Sequence, residues 1–259
     1  MKAKKRYGQN FLIDNNIIKK ITDEVSSSSR DLIIEIGPGK GALTKELKKK
    51  ESYIIAYEID TDLLTTLEKL ENEKVKVIYK DILTTNIKED INDINYKDLY
   101  IVGNLPYYIT TPIIEHIIKQ NLVFKKFTIM VQKEVADRFM AKPKSKDYGY
   151  ITLVLKYFFD TFKVCDVSKY SFNPVPKVES AVLSFIPKNK KEEIDVDKYF
   201  EFLKIIFRQK RKTLKNNVSN IYSWDKILQV LENYNISESC RAEELDEQVI
   251  LDIFKSISK

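Results

Sequence analysis

Three of the chain's six glycines crowd into Glu35-Ile36-Gly37-Pro38-Gly39-Lys40-Gly41, straight after the apolar run Leu32–Ile36 and straight before a helical pattern over residues 41–50. A chain this poor in glycine keeps it where the backbone takes a positive φ or approaches a ligand closely. Strand, glycine turn, helix is the topology of a nucleotide-binding loop, and it commits this region to an α/β sheet. The spacing G-x-G-x-G is shorter than the dinucleotide fingerprint, and Pro38 removes an amide that could cradle a pyrophosphate. NAD is therefore disfavoured, and an adenosyl ligand without phosphates suits the loop better.

Apolar runs suited to buried parallel strands recur at residues 32–36, 53–57, 75–79, 99–103 and 127–131, separated by helical patterns such as 41–50, 61–70 and 110–120. This alternation predicts a doubly wound α/β sheet. Glu58 closes the second strand, where its carboxylate can accept from both hydroxyls of a ribose, and Asp81 follows the third, where it can accept from an adenine amine. Two β-rich segments, 161–167 and 178–185, are joined through Ser171-Phe172-Asn173-Pro174-Val175-Pro176 and predict an antiparallel hairpin closing one sheet edge. The polar stretch Lys188-Asn189-Lys190-Lys191-Glu192-Glu193 reads as a linker, and helical periodicity fills the chain beyond Val196. The expected division is a catalytic domain over residues 1–187 and a small all-helical domain over 188–259.

After the fourth strand comes the turn Asn104-Leu105-Pro106-Tyr107. An exocyclic amine on a nucleobase is a poor nucleophile, because its lone pair is delocalised into the ring. Two convergent acceptors localise that pair: the Asn104 side-chain oxygen can take one N–H and the Leu105 or Pro106 carbonyl the other, while the Tyr107 ring stacks on the base. Pro106 fixes its own φ and holds Leu105 extended, so the acceptors stay in place.

No apolar run approaches the roughly 18 residues of a membrane span, and the basic start Met1-Lys2-Ala3-Lys4-Lys5-Arg6 leads into no signal-peptide core, so a soluble, cytoplasmic protein is expected. Cys165 and Cys240 lack the spacing of a disulfide framework or a zinc site. The lone histidine, His116, is expected on a helix surface rather than as a catalytic base. A formal charge of +6 is modest, but Lys204, Arg208, Lys210, Arg211, Lys212 and Lys215 fall in a stretch without an acid. A polyanion would suit that stretch and the N-terminal cluster Lys2, Lys4, Lys5 and Arg6; a solvated helix face, or docking between domains, is the other use for such charge.

Together these residues resemble the S-adenosylmethionine-dependent methyltransferase fold, and more closely the bacterial 16S ribosomal RNA adenine N6-dimethyltransferases, the kasugamycin-susceptibility family. The resemblance runs nearly end to end, through Gly8-Gln9-Asn10-Phe11-Leu12, residues 35–44, Glu58, Asp81, residues 104–112, residues 172–182 and Phe207-Arg208-Gln209-Lys210-Arg211-Lys212-Thr213-Leu214. It implies Asn10, Leu12, Gly37, Gly39, Glu58, Asp81 and Asn104 around S-adenosylmethionine. Asn104, Leu105 and Pro106 would hold the target amine, with Tyr107 and Phe172 sandwiching a flipped adenine. The implied reaction needs no metal and gives N6,N6-dimethyladenine at two adjacent adenines in the 3′-terminal hairpin loop of 16S rRNA, within an immature small subunit. The enzyme is expected to be a monomer. Val175 departs from the family's usual proline and Lys210 from its usual arginine. The rivals are the resistance methyltransferases that modify 23S rRNA with the same core, and a non-catalytic RNA-binding protein of this fold.

Overall fold

All five residues of Leu32–Ile36 are buried, and burial on both faces marks the middle of a parallel sheet. In the computed structural model, which describes residues 10–106, 108–189 and 194–258, two short elements precede this strand, β1 (Phe11–Leu12) and α1 (Asn15–Asp23), so it is β2 (Leu32–Ile36). Four more parallel strands flank it: β3 (Tyr53–Glu58) and β4 (Val75–Tyr79) on one side, β5 (Leu99–Asn104) and β6 (Lys126–Gln132) on the other. Between them run α2 (Ala42–Leu47), α3 (Leu64–Leu67), α4 (Ile87–Ile91) and α5 (Thr110–Lys119). On α5 the residues Ile113, Ile114, Ile117 and Ile118 form one buried stripe at helical spacing. Each such side chain contributes about 1.5–3 kcal/mol by leaving water. His116, expected on the surface of this helix, is instead half-buried, its Nε2 lying 2.9 Å from the Thr85 carbonyl oxygen.

The full order of the seven-stranded sheet is β4-β3-β2-β5-β6-β9-β7, where β7 is Phe159–Val167 and β9 is Ser180–Pro187. The last strand inserts between β6, with which it runs antiparallel, and β7. Burial explains that order: the first six residues of β9 are all buried, whereas β7 is largely exposed and suits an edge. A separate two-stranded ribbon pairs β1 with β8 (Phe172–Asn173). The strand order reverses between β2 and β5, which opens a crevice at their carboxyl ends. A Cβ at Gly103 would stand 2.8 Å from the Ile36 carbonyl oxygen, so glycine is what lets β5 close on the end of β2.

The chain falls into two units. One comprises the residues up to Ala136 with Asp160–Pro187, and the other comprises Asp137–Phe159 with the residues from Lys188 onward. The chain leaves the first unit within α6 (Lys133–Phe139). The second contains α7 (Tyr150–Phe158), α8 (Val196–Ile206), α9 (Leu214–Val218), α10 (Trp224–Asn233) and α11 (Glu247–Ser258). Residues 137–159, which the sequence reading assigns to the first domain, belong with these helices because the rings of α7 pack on α8. Tyr157 and Tyr199 centroids are 5.1 Å apart, and Phe158 and Phe200 centroids 6.0 Å apart.

Candidate active site

The glycine loop emerges at the carboxyl end of β2 with Gly37 at φ 70° and Gly39 at φ 57°, left-handed conformations that other residues adopt only under strain. A Cβ added to Gly37 would make one ordinary contact, 3.8 Å from the Asn104 backbone oxygen, so it is the left-handed φ rather than crowding that calls for glycine there. Opposite lies Glu58, the last residue of β3 and 5% exposed. Its Oε2 accepts from the Gly39 amide at 3.1 Å, and its Oε1 accepts from the Ile59 and Asp60 amides at 2.9 Å each. Burial pushes this carboxyl above the ordinary carboxylate range, while the three amides pull it back. Glu35, beneath the loop, is buried outright. Desolvation pushes its carboxyl up to about 7, opposed by the Thr44 hydroxyl at 2.7 Å and reinforced by the neighbouring Glu58 charge. Its Oε1 has no partner among the described residues.

The β1–β8 ribbon fixes the third wall. Phe11 pairs with Asn173 and Leu12 with Phe172, and the Asn104 side-chain Nδ2 donates to the Asn10 carbonyl at 3.2 Å. That bond settles which end of the amide is nitrogen and leaves Oδ1 free to accept on the other side. Next along the chain, the Pro106 carbonyl is occupied twice, by the Ile109 amide and the Thr110 hydroxyl, each at 3.2 Å. The Leu105 carbonyl has no hydrogen-bond partner among the described residues. Of the two backbone acceptors the sequence leaves open, Leu105 is thus the one whose lone pairs no described residue occupies.

A cavity of about 200 Å³ gathers Asn10, Gly37, Gly39, Glu58, Asp81, Asn104, Leu105 and Pro106. Asp81 also caps the turn that follows it, its Oδ1 accepting from the Leu83 amide at 2.9 Å. Leu12 and Phe172 do not line the cavity. Side chains alternate along a strand, so Phe11 takes the cavity side and Leu12 turns into the core. Phe172, opposite Leu12, is 1% exposed in the same apolar cluster and offers no open face to a base. Tyr107 and the N-terminal lysines and Arg6 lie outside the described residues. Sequence reasoning missed Phe11, Tyr57, Ile82, Tyr108 and Ile113 on the wall, because an apolar residue lining a cavity carries the same signal as one in the core.

This wall fits an adenosyl group. It pairs carboxylates suited to hydroxyls and an amine with apolar surface suited to a purine, and Lys80 is its only cation among the described residues. That cation is bound to the Asp90 carboxylate at 2.6 Å, so the site lacks what a phosphate would need.

The basic stretch of the second unit divides in two. Lys210 Nζ donates to the carbonyls of Lys146 and Tyr148 at 2.9 Å each, Lys215 Nζ lies 3.4 Å from the Glu238 carboxylate, and Lys204 Nζ sits 5.2 Å from the Tyr150 ring centroid. Arg208, Arg211 and Lys212 are not buried and have no such partner among the described residues.

The model of one family, ribosomal RNA adenine dimethylase, matches residues 1–259. The chain is 46% identical over 255 residues to ribosomal RNA small subunit methyltransferase A of Mycoplasmopsis pulmonis (strain UAB CTIP), covering 98% of each chain. Among solved structures it is similar to a dimethyladenosine transferase from Plasmodium falciparum, with a TM-score of 0.79 and 29% identity, covering 94% of this chain and 95% of that one. It also shares its fold with the 23S rRNA methyltransferase ErmE, at a TM-score of 0.70 and 23% identity over 96% of this chain and 100% of that one.

Proposed function

The chain belongs to the ribosomal RNA adenine dimethylase family, and from that premise we infer how its residues hold cofactor and base. It is an S-adenosylmethionine-dependent methyltransferase that dimethylates adenine N6 in 16S ribosomal RNA of the small subunit. When bound, S-adenosylmethionine supplies a methyl group already activated for transfer, so the protein has to align the acceptor rather than create a strong base.

Glu58 takes the ribose hydroxyls through the lone pairs its three amides leave over, and Asp81 takes the adenine amine of the cofactor. Gly37 and Gly39 let the backbone approach without a side chain, and Asn10 closes the wall. The target amine gives one N–H to Asn104 Oδ1 and the other to the Leu105 carbonyl. Both bonds rotate its lone pair out of conjugation with the ring, and the proton it later loses passes to water. Pro106 holds the turn rather than accepting. Tyr107 is assigned the stacking face from the sequence alone.

Arg208, Arg211 and Lys212 contact RNA phosphates, while Lys204, Lys210 and Lys215 serve mainly inside the helical unit. The substrate form we favour is an immature small subunit, acted on by a monomer in the cytoplasm. The observation that carries the reading is the Asn104 amide, oriented by Asn10 beside a Leu105 carbonyl that has no partner among the described residues, in the cavity that also holds Glu58. The test is to map dimethyladenine on small- and large-subunit rRNA from cells lacking the protein, then restore it with the purified enzyme. Loss and restoration confined to the small-subunit RNA are expected; restoration on the large-subunit RNA would overturn the substrate assignment.

A further inference from the structure

Tyr170 is the most exposed aromatic side chain among the described residues, at 72%. Leaving a ring of that size in water forgoes the burial energy that aromatic residues ordinarily supply. It is not alone. Ile13 is 56% exposed, and its amide donates to the Ser171 carbonyl at 2.9 Å, which brings it beside the residue next to Tyr170. Lys169 Nζ lies 5.4 Å from the Tyr170 ring centroid, adding a cation to the same surface.

The backbone under this patch is held firmly. Glu179 Oε2 accepts from the Lys169 amide at 2.8 Å, and the Ser171 hydroxyl donates to Asp14 Oδ2 at 2.9 Å. Both carboxylates are therefore held in place by neutral donors and keep their charge, while the Lys169 ammonium lies against the exposed ring. Along the chain the patch lies close to the cavity wall. Phe11, whose ring is within 3.3 Å of where a Cβ on Gly39 would stand, is two residues from Ile13 along the chain that forms β1. Two residues of extended chain span roughly 7 Å, a distance that one extended nucleotide covers.

An open ring, an adjoining ammonium and an aliphatic neighbour are the components with which proteins stack unpaired bases. We propose that Tyr170, with Lys169 and Ile13, is a stacking platform for the unpaired RNA nucleotide beside the one whose base enters the cavity. This rests on the methyltransferase reading for its substrate, but its test does not depend on catalysis. A protein partner would use the same apolar surface; the adjacent cation and the two-residue step from Ile13 to Phe11 on the wall of a base-binding cavity favour RNA.

The probe is a fluorescein-labelled RNA hairpin with the loop sequence of the 3′ end of the small-subunit rRNA, titrated with the whole protein over a range of salt. Tyr170→Ala should weaken binding about tenfold, within the range that base–aromatic stacking gives on alanine substitution. Tyr170→Phe should bind like the parent, and neither variant should change the slope of log affinity against log salt, since stacking releases no counterions. Cofactor affinity, measured by calorimetry, should stay unchanged in both and shows that the variants are folded. Parental RNA affinity in Tyr170→Ala overturns the platform, as does a weakening accompanied by a lower salt slope. A separate arm measures methyl transfer by the parent protein to small subunits. Its failure would strike the functional reading while leaving the hairpin titration to decide the platform.

Discussion

Around the cavity, polar side chains are held by the backbone of their own unit. Glu58 accepts from three amides, Asn104 is tied to the Asn10 carbonyl and Asp81 caps its own turn. The basic stretch of the helical unit is built differently: Lys210 and Lys215 are engaged by neighbouring carbonyls and a carboxylate, while Arg208, Arg211 and Lys212 stand in solvent. The contrast teaches what each task demands. Aligning an amine for transfer needs atoms fixed to a fraction of an ångström, and hydrogen bonds from the main chain provide that. Holding a polyanion needs only charge near phosphates, and exposed cations suffice.

If the cavity works by alignment, its largest sensitivity lies in Asn104. Asn104→Ala should lower the single-turnover rate by about 10²- to 10³-fold, roughly 3–4 kcal/mol, as the loss of one preorganised hydrogen-bonding group does elsewhere. RNA affinity should be close to parental. An unchanged rate would remove the Asn104 amide from catalysis and, with it, the contrast between a fixed site and an exposed basic stretch.

The same rigid packing has a cost at Glu35, whose carboxyl is buried with one oxygen unpartnered among the described residues. Its folded-state value near 7 lies above the ordinary 4.5, so the folded form favours the proton. Below pH 4.5 the group is protonated in both states and imposes no penalty. Between about 4.5 and 7 the unfolded chain ionises while the folded one does not, so stability falls as pH rises. Above that window the loss is complete, at about 3 kcal/mol. Glu35→Gln should lack this slope in urea titrations taken from about pH 4 to 8, and parallel curves for the two proteins would show that Glu35 is ionised when folded.

A third effect, slightly smaller, separates cofactor holding from base holding. Glu58→Ala should weaken S-adenosylmethionine binding by about 2 kcal/mol, roughly thirtyfold, through the loss of charge-assisted hydrogen bonds. Dimethyladenine should remain the product at saturating cofactor. Calorimetry giving parental affinity would place the ribose elsewhere.

These residues differ in how visible they are without the structure. The strands at residues 32–36 and 75–79 coincide with β2 and β4, for different reasons: β2 is buried along its whole length and apolar at all but Glu35, whereas β4 lies at the sheet edge and exposes Lys76 between the buried Val75 and Val77. Gly37, Gly39, Glu58, Asp81 and Asn104 all line the cavity, and the two glycines and two acids among them stand out in the sequence because such residues at strand ends are costly without a task. Leu12 and Phe172 are misplaced by position: they belong to a ribbon of two residues per strand, too short to show an alternation from which to tell cavity side from core side. Residues 137–159 go to the wrong unit because a helix whose apolar residues pack on a later segment looks, locally, like one that packs on the preceding strand. The order β6-β9-β7 is invisible for a related reason, since sequence adjacency says nothing of which strand inserts.

The smallest effects fall on the basic stretch, where the comparison can be sharpened residue by residue. Lys210 and Arg211 are neighbours of equal charge, and a net-charge argument treats them alike. The structure does not: the ammonium of Lys210 joins two carbonyls, of Lys146 and Tyr148, that lie more than sixty residues away in the chain. Neutralising Arg208, Arg211 and Lys212 together should lower the salt slope of RNA binding by about 0.7–0.9 for each phosphate left without its cation, with the midpoint of unfolding unmoved. Lys210→Ala should do the reverse, leaving the slope at its parental value and destabilising the fold by about 1 kcal/mol, because its bonds are exposed enough to be partly screened. A Lys210→Ala slope that falls as far as that of Arg211→Ala would mean that RNA draws the lysine off its carbonyls. The basic stretch would then act as one electrostatic surface after all, and the division between structural and RNA-facing cations would fail.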